Sequence, residues 1–248
     1  MRTAILAPSI QVVRAGARFR TETSWLDSWH CFSFGRYYEP DNTHHGLLLA
    51  CNDDRLRASA GFVEQAHEEM EIVTWMVEGE LEHQDSTGGA HRLRPGLVRC
   101  LSAGRGIRHS EMNPAAWAPA RYVEMWVPPD TEQLEPSCEV ADVTDALAGG
   151  GLVPVASGTG HPGAVTVHQS RAVLWAGRLP PGESVVVPDA PHVHLFVVLG
   201  GGVLDTGGLA GRGRLDEGDS VRLVAAGSPA FTAAAAGAGA EILVWETG

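Results

Sequence analysis

"MVEGELEHQDSTGGAHRLRPGLVRCLSAGRG", residues 76–106, runs from an apolar strand through a Gly turn, a polar strand and a Gly-rich loop, then into an apolar stretch opened by "RPG". The same order returns in "VVLGGGVLDTGGLAGRGRLDEGDSVRLVAAGS", residues 197–228, where "DEGD" opens the last strand. Two copies of one strand-and-turn unit indicate an internal duplication. Short apolar runs elsewhere, among them "HGLLLAC", "RYVEMWV", "AVLWAGRL" and "EILVWE", lie between Gly- and Pro-marked turns. That rhythm predicts an all-β chain built as a duplicated jelly roll.

The rhythm breaks at residues 127–158, "VPPDTEQLEPSCEVADVTDALAGGGLVPVASG", which carries four prolines and a glycine triplet. We therefore expect a first barrel over 1–134, a connection with a short helix over 135–150, and a second barrel over 151–248. A chain of 248 residues with 44% hydrophobic residues can bury both cores. The formal charge of −12 opposes direct nucleic-acid binding, which needs basic side chains on phosphates. Four widely spaced cysteines, with no CxxC pair, suit a reducing compartment. "MRTAILAPSI" reads as too short and broken for a leader, and no stretch reaches the length of a membrane span. The expectation is a cytoplasmic protein with no membrane partner.

Residues i and i+2 of a strand share a face, so their side chains can converge on one ion. Gln65-x-His67, within "EQAHEEMEIVTW", and His109-x-Glu111, within "GRGIRHSEMNP", have this form. Together they offer two imidazoles, one carboxylate and one amide, the composition of a divalent-metal site with open positions. Spacing alone leaves open a surface hydrogen-bonded pair. Glu71 is a candidate base or supporting carboxylate if it keeps strand parity with Gln65 and His67, whereas Glu68 is read as solvated. His30, His44 and His45 are expected to brace loops or line a pocket mouth, and His83 to hydrogen-bond across a hairpin. Trp25, Trp75 and Trp126 are assigned to the core. His192 and His194, in "PHVHLFVV", are read as a structural or rim pair.

The stretches "WHCFSFGRYYEPDNTHHGLLLACNDDRLRASAGF", "EIVTWMVEGELEHQDSTG" and "SAGRGIRHSE", with "VEMWVPPD" and "GGLVPVASG" behind them, resemble the pirin family. The resemblance implies a bicupin, two double-stranded β-helix barrels packed face to face, with one metal in the first. It implies ligands at His67, His109 and Glu111, and places Gln65 where the family has its other histidine. It further implies a metal-dependent dioxygenase of the quercetin 2,3-dioxygenase type, taking a flavonol or related enol, with Glu111 or Glu71 as base. Fe(II) is the first expectation, with Ni, Mn, Co, Cu or Zn as alternatives. An amide oxygen in place of an imidazole weakens a late divalent metal's site. The ion is thus kept, held weakly, or absent. Two other readings stay open: a metal- or redox-responsive regulator with a protein partner, and a metal-free pocket serving an isomerase or cyclase.

Overall fold

The computed structural model describes residues 6–248; residues 1–5, which begin the stretch read as lacking a leader, lie outside them. Among the described residues, regular structure is nearly all β, with one short helix, Thr144–Ala148, besides a 3-10 turn. No helix among the described residues is long and apolar enough to cross a membrane.

The first half forms two sheets. Seven strands run in the spatial order Ser137–Asp142, Leu97–Ser102, Glu71–Glu78, Ala120–Val127, Ala50–Leu56, Leu26–His30 and Phe19–Glu22. Four more, Gly61–His67, Ile107–Met112, Leu81–Asp85 and Ala90–Leu93, make the opposing sheet. The second half centres on the 14-residue strand His192–Asp205, whose first part pairs with Ala240–Thr247 and Ser220–Val224 and whose last part pairs with Arg212–Asp216 and Ala230–Ala233.

Glu71–Glu78, Leu97–Ser102 and Ala120–Val127 are buried on both faces, which explains their nearly unbroken apolar runs. One face packs on the second barrel: Val73, Trp75, Val98, Val123 and Met125 share a core with Leu174, Phe196, Leu243 and Trp245. The other face looks into the first barrel, and there the register aligns a polar row. Arg99 lies opposite Thr74, Thr74 opposite Glu124, Glu124 opposite Asn52, and Asn52 opposite His30. A parallel row sets Tyr122, Asp54 and Ser28 beside it.

Two edge strands depart from the sequence reading. Ser9–Val13, assigned with residues 1–134 to the first barrel, pairs with Ser220–Val224 of the second half. Ser137–Asp142, inside the expected connection, adds to the first half's large sheet beside Leu97–Ser102. Both cover a sheet edge that would otherwise present unpaired backbone groups. Polar ties cross between the halves as well. Arg121 forks onto Asp53 at 2.8 and 3.0 Å and donates to the Val198 carbonyl at 3.1 Å. The Trp75 indole donates to Glu241 at 2.7 Å.

Candidate metal centre

The four-stranded sheet sets the candidate ligands side by side. Strand Ile107–Met112 runs antiparallel to Gly61–His67, with His109 opposite Gln65 and Ile107 opposite His67. The register slips between His109 and Glu111, so Glu111 faces Phe62 on one neighbour and His83 on the other. Gly61 permits this close approach, because a Cβ there would run into the Glu111 carbonyl.

The rings of His67 and His109 lie 5.0 Å apart, and His109 Nδ1 is 3.7 Å from a Glu111 oxygen. His109 and Glu111 are buried, while His67 is half-buried and lines an outer cleft together with Gly106 and Arg108. Four polar positions in this group are buried with no hydrogen-bond partner: Gln65 Oε1, Glu111 Oε2 and both nitrogens of His109. A neutral His109 offers one of its nitrogens as a lone pair, so with Gln65 Oε1 and Glu111 Oε2 three buried acceptors are unmatched, which is costly unless a cation meets them. The donor set therefore fits a divalent ion.

Among the described residues, the group here whose ligand atoms all lie within 4.8 Å of one another is His83, His109 and Glu111, and His67 does not join it. His83 is nonetheless fully engaged. Its Nδ1 takes a hydrogen bond from Arg99 at 2.7 Å, and its Nε2 reaches Asp85 at 3.0 Å, within its own strand. With Nδ1 accepting, the proton sits on Nε2 and no lone pair is left for an ion. The expected bond across the hairpin is replaced by these two.

Arg99 carried no functional assignment from sequence, and it is central here. Its guanidinium is fully buried and pairs with Glu111 Oε1, His83 Nδ1 and Thr74 Oγ1, the last at 2.7 Å. Burial alone would raise the Glu111 carboxyl, but the Arg99 charge and hydrogen bond, together with His109 and His83, outweigh it and hold Glu111 below the usual carboxylate range. Burial lowers His109 to about 4, and Arg99 adds to the effect, so His109 is neutral at pH 7. Burial likewise lowers His67. The sequence signal for Arg99 was a single charge within the apolar strand "LVRCLS".

Glu71 is not brought to this group. The strand Gly61–His67 ends before Glu69, which adopts φ 49°, and Glu71 begins a strand of the other sheet. The parity argument fails at that turn. Glu71 is fully buried, accepting from Ser102 Oγ at 2.6 Å and from the His168 backbone at 3.0 Å, a tie between the halves. Glu68 is exposed, and Glu69 accepts from Gln133.

Behind Gln65 lies a cavity of about 550 Å³, floored by Asn52, Asp54, Gln65 and Glu124 and walled by Phe34 and Phe62. His30 lines it too, bonded to Asn52 at 2.8 Å. Burial raises Asp54 to about 7 and pushes Glu124 well above its ordinary range. His45 Nε2 lies 3.1 Å from the Val193 and Leu223 carbonyls of the second half, its ring edge-on to His192, while His194 is buried against Phe32. Trp75 is core, whereas Trp126 stands edge-on to His67 at 5.1 Å and donates to Glu124.

Residues 12–127 match the family model described as Pirin. A Mycobacterium tuberculosis protein, provisionally named a quercetin 2,3-dioxygenase, is 45% identical over 97% of this chain and 96% of its own length. The chain belongs to the pirin family. The quercetin 2,3-dioxygenase of Escherichia coli is 38% identical over 67% of this chain and 71% of its own. The crystal structure of the E. coli pirin YhhW with nickel(II) matches with a TM-score of 0.85 at 29% identity, covering 96% of this chain and 99% of that one. The all-β bicupin expected from the sequence is thereby the fold of this pirin-family protein.

Proposed function

We propose that this pirin-family protein is a metal-dependent dioxygenase of the quercetin 2,3-dioxygenase type, acting on a flavonol or related enol. The observation that carries it is the set of buried, unmatched donors at Gln65, His109 and Glu111, with the His67 ring beside them. The relatives' names supply the reaction class. His67, His109, Glu111 and Gln65 would hold the ion, Fe(II) or another divalent transition metal. When bound, the ion supplies Lewis-acid polarisation of an enol oxygen and redox capacity toward O₂.

The protein's own residues do the rest. Phe34 and Phe62 line the cavity with aromatic surface suited to a flat ring. The low proton affinity of Glu111 suits it to hold positive charge rather than to act as base. Asp54, at about 7, is matched to accept a proton from a substrate hydroxyl near neutral pH. Glu124, kept protonated by burial, can donate a hydrogen bond to a substrate oxygen. Protein stripped of metal, reloaded with Fe(II) or Ni(II) and given quercetin should consume O₂ as the flavonol absorbance falls. Reloaded protein that leaves both unchanged, for quercetin and simpler enols, would overturn the assignment.

A further inference from the structure

We propose that Arg99 is a resident cation competing with the metal for Glu111, so that this site binds its ion far more weakly than its donor atoms would allow. The inference rests on the metal-site reading above and concerns what sets occupancy. Arg99 is fully buried, and three contacts fix its fork: Glu111, His83 Nδ1 at 2.7 Å and Thr74 Oγ1 at 2.7 Å. Asp85 in turn holds His83, itself anchored by Thr87 and the Gly89 amide. The guanidinium is fully shielded from solvent, its two terminal nitrogens bonded and its Nε left without a partner. An ion joining Glu111 Oε2 must therefore settle within one carboxylate's width of a permanent positive charge, in a low-dielectric interior where repulsion is poorly screened.

Charge counting points the same way. Gln65 brings an uncharged amide oxygen, and Glu111, the one carboxylate among the four donors, is already paired with Arg99. Within that donor set the ion meets lone pairs but no unpaired negative charge. Replacing an imidazole by Gln65 weakens the ligand set, and Arg99 independently weakens the electrostatics.

Isothermal titration of chelator-stripped, tag-free protein with Ni(II) tests this, with circular dichroism as a check on folding. Arg99→Gln should bind at least tenfold tighter than wild type, about 1.4 kcal/mol. Arg99→Lys, which keeps the charge, should stay within about threefold of wild type by the same electrostatic argument. Gln65→His, which leaves Arg99 in place and does not depend on an altered core, should improve binding yet remain micromolar. An Arg99→Gln affinity no higher than wild type, equal gains for Arg99→Gln and Arg99→Lys, or nanomolar binding by Gln65→His would each overturn the role of Arg99 and leave the metal site standing. No Ni(II) uptake by wild type or any variant would overturn the metal reading and this inference together.

Discussion

Glu111 and Arg99 are a buried ion pair, and removing one partner leaves the other charged without compensation. Glu111→Gln is expected to lower unfolding stability in metal-free protein by about 3–5 kcal/mol, read by denaturant titration. Asp54 gives a second prediction at this scale. Its folded pKa, about 7, is raised above the ordinary 3.8 by burial, and its Oδ1 has no partner. The folded state thus holds this proton more tightly than the unfolded state. The stabilisation is fully present below about pH 4 and is lost as pH rises through about 7. Asp54→Asn should therefore raise stability at pH 8 by up to about 4 kcal/mol and change little at pH 4. Thermal melts of chelated protein at the two pH values check it; an equal effect at both would refute burial as the cause. His67, His109, Glu111 and the anomaly at Gln65 could be named from the chain. Arg99, Asp54 and Glu124 could not be assigned roles, because the charges and the cavity that give each its setting are assembled from several strands far apart in the chain.

Strand register turns such isolated residues into a site. Arg99, Thr74, Glu124, Asn52 and His30 fall in one line across five strands only because of pairing partners far away in sequence. The strand that carries Gln65 and His67 depends on Gly61, whose missing side chain admits the Glu111 backbone. Gly61→Ala should force the two strands apart, costing about 1–3 kcal/mol and weakening Ni(II) binding. Unchanged stability and affinity would show that the strands absorb the methyl group without moving Glu111. Alternation within a strand was legible in sequence, so the pairs 65/67 and 109/111 were found. Glu71 was misplaced because a left-handed turn at Glu69 moves the chain to the other sheet, and no periodicity signals where parity restarts.

At the scale of the whole molecule, the two halves share one apolar core, so they should not melt apart. Trp245 is buried in that core, and its indole faces Met125 of the first half. Trp245→Ala should cost about 3–5 kcal/mol and lower a single cooperative transition, seen alike by tryptophan fluorescence and far-UV circular dichroism. Two separated transitions would show that the barrels fold independently. The Glu71–Ser102–His168 contact and the Arg121 fork tie the same boundary with polar groups.

The sequence by itself determined the all-β bicupin class and the pirin-family membership, because strand alternation, turn glycines and short motifs are local. The tertiary structure alone decided that Ser9–Val13 crosses to the far sheet and that Glu71 serves the boundary between halves. It alone placed Arg99 against Glu111. Each of these depends on which strands become neighbours, and in a β-barrel that choice is set by long-range pairing rather than by any residue's immediate surroundings in the chain.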